Sequence, residues 1–178
     1  NNNWSSFYER DKLASIVDYL IIMAYDEHPG SSPVAGSVSS LPWVETNLQN
    51  LLKEVPKEKL ILGVPLYTRL WKEQMKEDGT TEVSSQSMSM EKVKEWLADK
   101  GIQPVYDEAS GQNYAEYFAA EENATYKVWI EDELSLTKRA NLTANYQLAG
   151  MASWSRVFGD QTAWTAMNID PNKAVTQK

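Results

Sequence analysis

Residues 19–24, YLIIMA, form an apolar run without alternation, the pattern of a parallel strand buried on both faces. A Ser/Gly/Pro loop follows over residues 30–40. Pro42 then stands where a helix can start. Val44, Leu48, Leu51, Leu52 and Val55 fall on one helical stripe, and Pro56 ends it. KLILGVPLY, residues 59–67, is a second apolar strand. Strand, helix and strand in this order predict a βαβ unit with a right-handed crossover.

The pattern then changes. Residues 72–87 are polar and rich in Glu, Lys and Ser. SMEKVKEWLADKG, residues 89–101, predicts a helix with Ser89 near its N-cap and Gly101 as its stop. QPVYD, QNYAEYFA and ATYKVWIE read as three strands. In the last, Tyr126, Val128 and Ile130 share one face, and Lys127, Trp129 and Glu131 the other. A helix over 133–145 follows. YQLAGMASW, residues 146–154, returns to the buried-strand style, and a short helix near 160–167 precedes a polar tail. Residues 72–131 thus form a small α+β insertion between 1–71, with two strands and their helices, and 132–178, with a helix, the last strand and a C-terminal helix.

Composition narrows the chemistry. Of 178 residues, 42% are hydrophobic, which suits a globular core rather than disorder. No apolar stretch is long enough for a membrane-spanning helix. The formal charge is −8 with no basic stripe, which argues against nucleic acid and anionic membrane as partners. Cysteine is absent and His28 is the sole histidine. Disulfides and thiolate zinc sites are therefore excluded, and no calcium loop, P-loop, G-x-G-x-x-G or G-x-S-x-G motif occurs. The sequence opens NNNWSSFYERDK without an initiator Met and reads as a piece of something longer. Sequons stand at Asn3, Asn123 and Asn141.

All three parallel-type strands end in distinctive groups: Tyr25-Asp26, Tyr67-Thr68-Arg69 and Trp154-Ser155-Arg156. In parallel α/β folds, function collects at the carboxyl ends of strands. MAYD at 23–26, GVPLYTR at 63–69 and GMASW at 150–154 resemble the last three barrel strands of glycoside hydrolase family 18, which holds chitinases, chitinase-like lectins and bacterial spore-cortex or cell-wall glucosaminidases. YDEH, SLPWVE, KEKLILGVPLYTRLW and YKVWIEDELS look most like the bacterial cell-wall branch. The resemblance implies an α/β fold, the C-terminal half of a TIM (β/α)8 barrel (last three strands), with an α+β insertion domain. The family's D-x-x-D-x-D-x-E motif, whose last Glu is the general acid, occurs nowhere in these residues.

The resemblance also implies roles. Family 18 departs from the scheme of two protein carboxylates: the substrate's own N-acetyl oxygen is the nucleophile. Tyr25 would donate to the acetamido carbonyl and Asp26 would orient that group. Trp154 would form the floor under the sugar, Met23 would line the pocket bottom, and Tyr67 and Arg69 would add polar contacts. Trp129 and Glu131 would reach the sugar from the insertion. No cofactor and no metal is implied. The implied partner is a polysaccharide containing N-acetylglucosamine, chitin or peptidoglycan, met outside the cytoplasm, in secreted, cell-wall or spore form. The competing class is a non-catalytic, chitinase-like carbohydrate-binding protein.

Plainer readings stand beside these. Tyr25 and Asp26 could simply cap a strand, Trp154 could be core, and Arg69 an ion-pair partner. Trp129 and Glu131 also suit an ordinary half-exposed strand. His28 reads as a solvated loop residue, and Glu27, Asp132 and Glu133 as surface or helix N-terminal acids. A rival pairing of Asp26 with Glu131 as acid and base would need them about 5–9.5 Å apart. Half a barrel also exposes two sheet edges, so the expectation is association with the missing N-terminal half or with a second copy.

Overall fold

A computed structural model describes residues 8–168. The Asn3 sequon and the polar tail lie outside them. A short helix, α1 (Arg10–Ile16), leads into strand β1 (Leu20–Met23). Helix α2 (Leu41–Leu51) follows, with proline in its first turn and Val44, Leu48 and Leu51 buried. Strand β2 (Leu60–Pro65) lies parallel to β1, with Leu20 opposite Leu60 and Met23 opposite Gly63. The last strand, β8 (Gly150–Trp154), lies parallel on the other side of β2. The expected βαβ unit and the three parallel strands are all present, in the order β1-β2-β8.

Alternation decides what this sheet buries. Ile22, Leu62, Val64 and Met151 face a core built with Val44 of α2 and with Leu136, Leu142 and Ala163. The last three come from α4 (Glu133–Asn145) and α5 (Gln161–Ala166). The opposite face carries Ile21, Met23 and Trp154, which are 54%, 70% and 59% exposed. The expectation that YLIIMA is buried on both faces is therefore corrected: helices cover one face of β1, and no element among the described residues covers the other. β2, flanked on both sides, is buried almost throughout.

The chain changes sheets at Leu66. Strand β3 (Tyr67–Met75) starts a five-stranded antiparallel sheet, ahead of the expected boundary at 72. It pairs with β4 (Thr81–Ser89) and with β7 (Ala124–Ile130), and the order is β4-β3-β7-β6-β5. β5 is Val105–Asp107 and β6 is Gln112–Ala119. The β3–β4 hairpin fills the polar stretch for which sequence patterning predicted no element. β4 is an outer strand and mostly solvated, so it needs few apolar residues. Its readable signal is the turn: Asp78-Gly79, with Gly79 at φ 81°, is a hairpin dipeptide.

Helix α3 (Met90–Lys100) begins where expected, with Ser89 accepting from the Lys92 amide, and ends at left-handed Gly101. It packs Val93, Trp96 and Leu97 on Met88, Ala115, Val128 and Ile130 of the sheet. Helix α4 opens with a reciprocal capping box between Asp132 and Ser135. That settles Asp132 as a helix cap.

Candidate active site

Four of the expected residues meet at the carboxyl end of the parallel sheet. Immediately after β1 the chain turns sharply, and Asp26 adopts φ 60°, a left-handed conformation that Asp tolerates better than most residues. One carboxylate oxygen, Oδ1, accepts from the Tyr67 hydroxyl at 2.5 Å and from Arg69 Nη2 at 2.7 Å. The Arg69 guanidinium also lies 5.5 Å from the Tyr67 ring centroid and donates to Ser87 Oγ at 3.2 Å. Tyr25 meets Tyr67 edge to face, with centroids 6.4 Å apart. Tyr67 is thus a buried support beneath Asp26 rather than an open wall. It sits between Tyr25 and Phe158, whose ring is 5.7 Å away.

Electrostatics follow the geometry. Burial pushes the Tyr67 phenol well above its usual pKa, and its bond to the Asp26 carboxylate adds to this. Burial, with the Asp26 charge beside it, also raises Tyr25. Both phenols are therefore protonated donors at neutral pH. Asp26 Oδ2 takes no hydrogen bond among the described residues. The cluster presents a half-exposed carboxylate, a neighbouring phenol and a cation.

Trp154 ends β8 opposite Pro65 and stands in the open. The peptide bond that follows it is cis. Met23 lies on the same uncovered sheet face. The register Met23–Gly63–Ala152 puts two small positions beside it, and a Cβ on Gly63 would come within 2.7 Å of the Ile22 carbonyl. The sheet face between Met23 and Trp154 is therefore kept low.

Trp129 lies across from this cluster on the antiparallel sheet. Leu70 pairs with Val128, so Arg69 and Trp129, each one step toward the same end, project from the same sheet face. The Trp129 indole packs on Tyr114 at 4.9 Å and donates to Asp107 Oδ2 at 3.3 Å. Glu131 corrects its expectation. It is completely buried, and both its oxygens bond Arg139, at 2.6 and 3.0 Å. Gln112 and Ser135 complete its shell, each at 2.9 Å. The strand ends at Ile130, so Glu131 turns under helix α4 instead of continuing the exposed face. With its oxygens engaged there, it makes no acid/base partner for Asp26.

His28 is not a solvated loop residue either. Nδ1 lies 2.9 Å from the Ser37 carbonyl, and the ring fills the space beside Gly36, where a Cβ would clash with it. It braces the loop after β1. Trp71, fully buried, braces the same loop by donating to the Gly36 carbonyl at 2.8 Å. Sequence patterning missed Trp71, Thr68, Ser39, Gln112 and Arg139 as a group. Buried polar residues scattered over a loop, two strands and a helix leave no periodic trace.

The parallel sheet thus carries an aromatic-carboxylate cluster at its carboxyl end, flanked by an antiparallel sheet and a helix. The model of Glycosyl hydrolases family 18 matches residues 1–159, and the chain belongs to that family. Its relatives include spore-cortex enzymes. It is 27% identical over 167 residues to the uncharacterized glycosylase YvbX of Bacillus subtilis, covering 94% of this chain and 46% of that protein. It is 30% identical over 159 residues to the cortical fragment-lytic enzyme of Bacillus anthracis, covering 86% and 35%. The crystal structure of a chitinase from Chromobacterium violaceum superposes with a TM-score of 0.79 at 27% identity, over 90% of this chain and 47% of that one. The chain thus spans less than half the length of these relatives.

Proposed function

We propose that this chain is the C-terminal part of a glycosidase that hydrolyses β-1,4-linked N-acetylglucosamine polymers, chitin or peptidoglycan, by retaining, substrate-assisted catalysis. The carrying observation is the convergence of Tyr67 and Arg69 on one oxygen of Asp26, at the end of a parallel strand. Such donors hold the carboxylate in one orientation, and a pre-set acceptor is what an acetamido N–H requires. In this reading Asp26 accepts that N–H through Oδ2, and Tyr25 donates its hydroxyl to the acetamido oxygen. The oxygen is thereby aimed at the anomeric carbon as nucleophile. An oxazolinium intermediate forms as the glycosidic bond breaks, and water then opens it with retention. Trp154 stacks under the sugar, Met23 lines the pocket floor, and Trp129 adds a wall from the insertion.

The general acid, a Glu, is supplied from outside these 178 residues, so the chain alone binds without turnover. The uncovered sheet face and the outer edges of β1 and β8 are where the remaining strands of a barrel, or a second copy, would pack. The substrates place the protein outside the cytoplasm, in the cell wall or spore. No helix among the described residues is long and apolar enough to cross a membrane. The test is to combine this chain with the remaining barrel strands and assay a chromogenic N-acetylglucosamine oligomer, with 1H NMR of the first-formed anomer. Turnover with retention is expected for the assembled protein, together with none for the chain alone. Turnover by the 178 residues alone, or inversion, would overturn the reading.

A further inference from the structure

The buried Glu131–Arg139 pair lies under the candidate site, and its bonds lead outward to both sides of Asp26. On one side the Glu131 backbone N–H donates to Thr68 Oγ1 at 2.8 Å. Thr68 is fully buried between Tyr67 and Arg69 in the chain, the two residues that donate to Asp26. On the other side Arg139 Nη2 donates to the Ser39 carbonyl, and Ser39 Oγ donates to the Ala24 carbonyl at 2.6 Å, two residues before Asp26. The same loop is held by Gln112, which donates to Glu131 Oε1 and accepts from Ser37 Oγ. It also grips the turn after Asp26: the Glu27 amide donates to the Val38 carbonyl at 2.9 Å, and the Glu27 carboxylate accepts from Ser40 N and Oγ.

Asp26 therefore sits at left-handed φ between two anchors, one on β3 and one on the 36–40 loop. The first ends on the Glu131 backbone amide and the second on the Arg139 guanidinium, the two residues of one ion pair. We propose that Arg139 and Glu131 are positioning residues for Asp26, setting the carboxylate against Tyr67 and Arg69 by way of Thr68 and Ser39. Arg139 is suited to this role because its planar fork reaches a carboxylate and a carbonyl at once, whereas lysine carries a single point of charge.

The proposal rests on Asp26 being the acetamido-orienting group, so its test needs a readout independent of sugar. In the intact protein, the Tyr67 hydroxyl proton and the Asp26 carboxyl carbon are followed by side-chain NMR in T68V, T68S, R139K and V93A. Binding of a tetra-N-acetylglucosamine oligomer is followed in parallel. T68V and R139K should shift or broaden both Asp26-cluster signals and weaken oligomer binding about tenfold, roughly the effect of one lost hydrogen bond. T68S should restore them. V93A, which only thins the α3 core, should lower Tm and leave both signals in place. Unmoved signals in T68V would overturn the proposal even where R139K fails to fold, and so would signals that V93A moves equally. Signals that respond as expected in a protein that binds no oligomer would uphold the positioning role and sink the glycosidase reading instead.

Discussion

Two arginine–carboxylate pairs in this chain share their chemistry and differ in almost everything else. Arg139–Glu131 has side chains 1% and 0% exposed. Arg69–Asp26 has them 14% and 45% exposed. Each guanidinium leaves its Nε without a partner among the described residues, so the difference lies with the carboxylates. Glu131 has both oxygens engaged by three side chains, whereas Asp26 receives both its donors on one oxygen. A carboxylate with no free acceptor holds structure together. One that is held firmly and still has an acceptor to offer can recognise a ligand. The family motifs draw attention to the second pair, and the buried network shows what keeps it in place.

The comparison breaks most visibly if the two pairs respond alike to truncation. Arg139→Ala leaves the Glu131 charge buried and unpaired, which should cost about 3–5 kcal/mol of stability in urea denaturation. Arg69→Ala removes a partly solvated partner and should cost no more than about 1 kcal/mol, while abolishing most oligomer binding in calorimetry. Trp154→Ala sharpens the contrast. An exposed aromatic should contribute little to stability, yet its loss should weaken oligomer binding by about 2 kcal/mol, the scale of an anchoring ring.

A smaller effect comes from pH. The folded pKa of Tyr67 is raised by burial and by Asp26, while an unfolded tyrosine titrates near about 10. Its contribution to stability is therefore complete below about pH 10 and falls as pH rises beyond that value, because the folded state then holds a proton the unfolded state has lost. Denaturation midpoints should decline above about pH 10, and Tyr67→Phe should flatten that decline.

Sequence patterning exposed the elements that bury a continuous stripe or run: β1, α2, β2, α3, α4 and the insertion strands β5, β6 and β7. It failed where burial and periodicity part company. The β3–β4 hairpin carries polar residues on both faces, so only Asp78-Gly79 marked it. Glu131 sits in phase with Trp129 in the sequence, but the strand ends at Ile130 and the phase no longer applies. Tyr25, Asp26, Arg69 and Trp154 were legible because they terminate apolar strands and match family motifs. Thr68 lies in the same motif, yet its part depends on a backbone amide brought from residue 131, which no local pattern can announce.

Whether Asp26 recognises the sugar is decided by calorimetric titration of the intact protein with tetra-N-acetylglucosamine, set against Asp26→Ala and Tyr25→Phe. Saturable binding by the wild type is expected, with loss of detectable binding in Asp26→Ala and a binding loss of about 1 kcal/mol in Tyr25→Phe, the net value of one hydrogen bond, with folding intact in both. Wild-type affinity retained in Asp26→Ala would contradict it.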